Sequence, residues 1–199
     1  MRDPEATKKA ILDAAEAVFF EKGFAQVPTS EIAEKAGVTK SLIHHHFGSK
    51  DALWTQVKMR RFKAYHDRQL EALRERPADA QLLRHSVELY FRFLQDNSDL
   101  VRMMAWMALE RDTSTTPEQF LLTELGVARL AEGQAAGRLR KDVPPMIILA
   151  ALMGLVEHWF LHRESLFCCM GLDPADRSVD EAYLQGILKI FFEGVEPRG

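Results

Sequence analysis

Cysteine is scarce in this chain: there are two, Cys168 and Cys169, side by side. Adjacent cysteines seldom close a relaxed disulfide, and no framework spacing exists, so the core is expected to stand on packing in a reducing compartment. Long apolar runs are also missing. The longest, Met146 to Val156, falls short of the roughly 20 residues a membrane helix needs. The first residues hold no apolar stretch ahead of a small-residue cleavage site, as a signal peptide would. A cytoplasmic protein with no membrane partner is therefore expected. The spacings that carry catalysis are absent as well: no GxSxG, no HExxH, no glycine-rich phosphate loop and no CxxC. Neither an enzyme nor a bound cofactor is expected.

Strands are missing too. No stretch alternates apolar and polar residues for long, whereas apolar positions recur at helical spacing throughout. Ile11, Ala14, Ala15, Val18 and Phe19 make one such stripe. Asp3-Pro4 suits its start and Gly23 its end. Next comes "PTSEIAEKAG", with Ile32, Ala33 and Ala36 on one side, then Val38-Thr39 and "KSLIHHHF". Two very short helices joined by a tight glycine turn form a helix-turn-helix, and Thr39 is placed to cap the second. Longer helices are expected at about residues 50–76, 80–95, 98–111, 117–137, 145–167 and 179–195. The fold class predicted is all-α, with about nine helices. It has an N-terminal helix-turn-helix head (residues 1–52) and a larger helical body (53–199).

The net charge is −3, which argues against a generally basic nucleic-acid binder. Its distribution says more. Residues 1–63 carry 11 Lys/Arg and 8 Asp/Glu, the remainder 15 and 21, so a weakly positive head sits on an acidic body.

The residues that decide the matter are Phe19/Phe20, Gly23-Phe24, Ile32-Ala33, Ala36-Gly37-Val38, His46-Phe47, Lys50 and Leu53. At that spacing, residues 14–54 resemble the N-terminal domain of the tetracycline-repressor (TetR) family. Residues 130–145 also resemble that family's stretch between its seventh and eighth helices. The resemblance implies a homodimeric, ligand-responsive transcriptional regulator, most often a repressor. In such a protein the third helix enters the major groove of an operator, and a small molecule bound in the body weakens that grip.

The residues support the reading on their own terms. Ile43 and Phe47, four apart, share the buried side of the third helix. Lys40, Ser41 and His44 face the groove, with Leu42 and His45 flanking. Lysine and serine reach base edges or phosphates, and leucine can meet a thymine methyl. The resemblance adds His46 and Lys50 as phosphate contacts, and the open N–H groups at the start of Lys50's helix suit the same partner. Two departures stand out. His44 and His45 occupy positions where the family usually has aromatics. Pro28 occupies a hydroxyl-bearing helix start, leaving Thr29 and Ser30 as candidates for that contact. Three consecutive histidines on a helix diverge by about 100° per residue, so they do not converge on one metal ion. Protonation of such histidines near phosphate would strengthen DNA binding as pH falls.

The body is less readable. Met103, Trp106 and Met107, with Phe91 and Trp159, could line an apolar or aromatic effector pocket or simply be core. Ile148, Leu152, Leu155 and Trp159 on the eighth helix, and Leu184, Ile187, Leu188 and Phe191 on the ninth, are expected at a two-fold dimer interface. His158 and His162, four apart, are the best metal-like pair. Cys168 and Cys169 read as small apolar residues buried or half-buried near a helix end, with oxidant sensing the alternative. A regulator answering to metal or oxidant through these four residues, or a DNA-binding protein without any effector, stays open.

Overall fold

The computed structural model describes residues 3–195, with side chains through Phe192. Among the described residues there are nine helices and no strand: α1 (Pro4–Lys22), α2 (Thr29–Ala36), α3 (Lys40–Phe47), α4 (Lys50–Glu75), α5 (Ala80–Gln95), α6 (Ser98–Leu109), α7 (Pro117–Ala135), α8 (Pro145–Met170) and α9 (Arg177–Val195). The all-α class expected from periodicity is what forms.

The helices gather into two compact units. The first comprises Met1–Lys63 and Asp99–Glu118, the second Ala64–Ser98 and Gln119–Gly199. Residue 52, the expected boundary, lies inside α4, and α6 groups with the first unit.

In the first unit, the Asp3 carboxylate accepts the N–H of Glu5 and starts α1, with Pro4 in the first turn. The stripe Ile11, Ala14, Ala15, Val18 and Phe19 is buried, as its spacing requires. The α2–α3 turn needs its glycine: Gly37 has φ +63, and its N–H and that of Val38 reach back to the last carbonyls of α2. Ile32, Ala33, Ile43 and Phe47 close the core beneath it. Arg60 ties α4 to α1 through Asp13, Glu16 and the Leu12 carbonyl, while Arg61 joins Glu16 to Asp99. Thr39 departs from expectation. It stands at the N-cap position of α3 with extended backbone, but its hydroxyl pairs with Ser41 Oγ at 2.8 Å and makes no cap bond.

In the second unit, α5 packs on α8 and α9. Asp180, 2% exposed, locks α9 to α8. It accepts from Trp159 Nε1 at 2.9 Å and from Arg163 Nε at 2.7 Å. Burial pushes its carboxyl up, but bonds from Arg163, Trp159 and Gln95 outweigh that and hold it below the usual range. Tyr90 donates to Glu157 at 2.7 Å, a second α5–α8 tie.

Several helix ends move. α6 stops at Leu109, followed by Arg111 at φ +53, a left-handed residue where glycine is usual. α9 starts at Arg177, where the Asp176 carboxylate accepts the N–H of Ser178. α8 runs on to Met170, so Cys168 and Cys169 sit in its last turn, and both are exposed, not buried. At 26 residues α8 is also long and apolar enough to cross a membrane by length and composition, which the short uninterrupted run had hidden.

α8 is covered on one side only. Ile148, Leu152, Val156, Trp159 and Phe167 are buried, whereas Met146, Ile147, Met153 and Leu161 are exposed. On α9, Leu184, Ile187, Leu188 and Phe192 are buried and Ile190 is 76% exposed.

Candidate nucleic-acid interface

α3 is eight residues long, which leaves two turns to divide between core and solvent. Ile43 is 1% exposed and Phe47 is buried against the first unit's core. Lys40, Ser41, Leu42, His44 and His45 are exposed, and His46 is half-buried. The spacing therefore delivers the expected split. Lys40 and His44 lie one turn apart on the open face, as do Ser41 and His45.

Each side chain on that face has a definite setting. The Thr39 and Ser41 hydroxyls hold each other. His44 Nδ1 donates to the carbonyl oxygen of Gly48 at 2.9 Å. His45 and His46 pack edge to face, 5.3 Å between ring centroids, and His46 lies against Phe47. Lys50, expected to reach a phosphate, lies over the Phe24 ring at 4.2 Å and donates weakly to the Ala25 carbonyl at 3.4 Å. Burial lowers its pKa, against the opposing pull of Glu110 and Asp51. The next helix is capped by Ser49, whose Oγ accepts the N–H of Ala52 at 3.0 Å. Thr29 is half-buried and Ser30 exposed in the first turn of α2, where Pro28 at the cap position offers no side-chain bond.

A second feature was not foreseen. The end of α6 and the segment after it clasp the α1–α2 turn and the first turns of α4. Glu110 accepts the backbone N–H groups of Phe24 at 3.2 Å and Ala25 at 3.0 Å. Asp112 accepts from Trp54 Nε1 at 2.8 Å and from Lys58 Nζ at 3.1 Å. Lys58, 2% exposed, donates as well to the Ser114 carbonyl and hydroxyl, each at 2.6 Å. Burial raises the Asp112 carboxyl, but hydrogen bonds from Ser114, Trp54 and Lys58 prevail and hold it at about 2. Gly23 has φ +80, and a Cβ there would come within 2.5 Å of Glu110 Oε1 and 3.0 Å of Trp106. In sequence these acids are two polar residues after a helix, more than 50 positions from Phe24, Ala25, Trp54 and Lys58. No local pattern announces them.

The five expected effector contacts fall in different units. Met103, Trp106 and Met107 belong to the first, where Met103 is fully buried and the other two half-buried. Phe91 and Trp159 belong to the second, both beside Tyr183: the Trp159 ring stacks on it at 4.1 Å and Phe91 lies 6.4 Å away. The second unit also has a surface cavity of about 180 Å³ between α4 and α5, lined by Tyr65, Arg68, Leu89, Arg92, Phe93 and Asn97. None of the five lines it.

Of the expected dimer contacts, Ile148, Leu152, Trp159, Leu184, Ile187 and Leu188 are buried within the protomer, while Leu155 and Phe191 are half-buried. The first six are core residues of the chain itself, and the outward apolar residues are their helical neighbours. The His158 and His162 rings lie 4.5 Å apart on the exposed side of α8. Among the described residues no further His, Cys, Asp or Glu joins them in a group that could hold a metal.

A two-turn helix with one buried and one open face, carried on a glycine turn in a small helical head, is a helix-turn-helix, the motif with which many DNA-binding proteins enter the major groove. Residues 11–57 match the model for bacterial regulatory proteins of the tetR family, and residues 83–180 match that for the tetracyclin repressor-like C-terminal domain. The chain belongs to the TetR family of transcriptional regulators and is not an enzyme. It is 27% identical over 159 residues to the HTH-type transcriptional repressor SCO4008 of Streptomyces coelicolor, covering 78% of this chain and 79% of that one. It is also 27% identical over 202 residues to the regulator RutR of Escherichia coli K12, covering 99% and 94%. Among solved structures it resembles the putative transcriptional regulator SCO4942 of Streptomyces coelicolor (TM-score 0.71, 23% identity, 96% of this chain and 99% of that). It also resembles AibR, solved with isovaleryl coenzyme A and operator DNA (TM-score 0.65, 17% identity, 92% and 97%).

Proposed function

We propose that the protein is a cytoplasmic homodimeric repressor that binds a near-palindromic operator and lets go when a small apolar or aromatic effector binds. Residues 1–52 serve DNA and residues 53–199 serve effector and dimer. The observation that carries this reading is the α3 surface, where Lys40, Ser41 and His44 stand open above buried Ile43 and Phe47. Residues 39–47 enter the major groove. Leu42 and His45 border the bases. Thr29, Ser30, His46 and Lys50 meet the flanking phosphates, Lys50 after swinging off Phe24.

The clasp gives the effector a lever. Met103, Trp106 and Met107 lie along α6, and Glu110 follows at its end, holding the turn that precedes α2. A ligand that shifts those side chains displaces the Glu110 grip and so the head. That AibR was captured with an acyl-coenzyme A supports a ligand with a short apolar part, without fixing its identity.

The dimer forms on the outward side of α8 and α9. Ile147, Leu161 and Ile190 are exposed apolar residues, and Gly154 and Gly186 have open space where a Cβ would point, letting partner helices come close. Leu155 and Phe191 border that face; the six buried residues stand behind it.

A second reading, control by metal or oxidant, draws on the close pair His158/His162 and the exposed thiols of Cys168 and Cys169. A reporter driven from an operator selected out of random duplex DNA with the purified protein tests both. Under the main reading, apolar and aromatic compounds lift repression while chelator and peroxide do nothing. Derepression by chelator or peroxide alone would select the second. Activation of the reporter by the unliganded protein would overturn the repressor assignment.

A further inference from the structure

We propose that His44 is a specificity-determining residue that reads the exocyclic amino group of adenine or cytosine, and that the Gly48 carbonyl sets this choice by fixing the imidazole tautomer. The inference rests on the reading of α3 as the DNA-contacting helix and narrows it from a surface to a base. His44 Nδ1 lies 2.9 Å from the Gly48 carbonyl oxygen. A carbonyl oxygen only accepts, so Nδ1 carries the proton. In the neutral ring the other nitrogen, Nε2, is then a bare lone pair.

The backbone places that acceptor. Gly48 leaves the helix at φ +77, its own N–H returning to the His44 carbonyl at 2.8 Å. Its carbonyl is thereby offered to the side chain one turn earlier. A Cβ at Gly48 would meet nothing within 4 Å, so the backbone angle, not crowding, calls for glycine there. His45 and His46 are set differently, ring against ring.

A lone-pair nitrogen finds no partner in a phosphate oxygen, in the N7 and O6 of guanine or in the O4 of thymine, all of them acceptors. In the major groove only adenine N6 and cytosine N4 donate. The open face of α3 thus carries a pure donor in Lys40, a two-way hydroxyl in Ser41 and a pure acceptor in His44. A tyrosine at position 44 could donate, so the histidine changes the base preference.

Two measurements on the full chain at pH 8, where an ordinary imidazole is neutral, test this. Long-range proton–nitrogen NMR of the free protein, with His44→Ala identifying the signals, is expected to show His44 protonated on Nδ1. This is the reverse of the form favoured by free histidine. An Nε2-protonated ring would overturn the proposal. Selection from random DNA with wild type and His44→Ala is expected to show one base pair per half-site at which only wild type has a preference. Putting purine for the adenine of that pair, or 2-pyrimidinone for its cytosine, removes the amino group. The swap should weaken wild type about 5-fold, as for one hydrogen bond, and leave His44→Ala within about 2-fold. No position at which wild type and His44→Ala differ in preference, or equal weakening of both proteins when the amino group is removed, would overturn the proposal. Failure of both proteins to enrich any symmetric site would overturn the DNA reading of α3, and the base assignment with it, while leaving the tautomer result standing.

Discussion

Glu110 Oε2 accepts the backbone N–H of Phe24 at 3.2 Å, across 86 residues of sequence. A carboxylate that holds two consecutive backbone N–H groups fixes the turn that carries them, and here the next element is α2 of the helix-turn-helix.

Removing that carboxylate separates stability from DNA binding. Glu110→Ala should cost about 1–2 kcal/mol in denaturant melts, the worth of two charge-assisted bonds partly replaced by water. Operator affinity measured by anisotropy should fall more than the small loss of folded protein explains. An unchanged affinity would mean the clasp has no bearing on the head.

Asp112 makes acid stability diagnostic. Its carboxyl is held at about 2, below the 3.8 of an ordinary aspartate. The folded value is the lower one, so the carboxylate contributes fully above about pH 4 and its contribution vanishes as pH falls through about 2. Asp112→Asn leaves Lys58 buried without its counter-charge, at a cost of about 3 kcal/mol at pH 7. Urea melts should show the gap between wild type and variant closing between pH 4 and pH 2. A constant gap would contradict the assignment.

Arg111 holds a left-handed backbone at φ +53. Arg111→Gly removes the penalty of a side chain there and should stabilise the protein by about 1 kcal/mol, seen as a rise in Tm. A fall would show that the side chain repays its strain.

On α9, Ile190 is 76% exposed. Ile190→Glu should sediment as monomer where wild type sediments as dimer, with unchanged helix content by circular dichroism. A dimer surviving the substitution would place the interface elsewhere.

How much of this was legible in the sequence depended on whether the cause was local. The stripe of α1, the Asp3 cap, the Gly37 turn and the bounds of α3 all follow from residues within one or two turns. The outward face of α8 did not, because a helix apolar nearly all round carries no sign of which side its own core takes. Ile148, Leu152 and Trp159, expected at a dimer interface, are buried within the protomer instead. The end of α6 was hidden because arginine, not glycine, takes the left-handed position. The grip of Glu110 and Asp112 was hidden because their partners are distant in sequence. In the candidate interface, the order of exposed side chains was readable, while the settings of Thr39, His44 and Lys50 required the fold.

The central claim is that this chain reads a two-fold DNA site through α3. Selection of bound sequences from random duplex DNA with the purified wild type, alongside Lys40→Ala and Ser41→Ala, tests it most directly. The account predicts a single symmetric sequence enriched by wild type, with half-sites about one helical turn apart. Each variant should then lose about 10-fold in affinity or relax preference at one position per half-site. No symmetric enrichment, or variants selecting the same sequence with undiminished affinity, would contradict it.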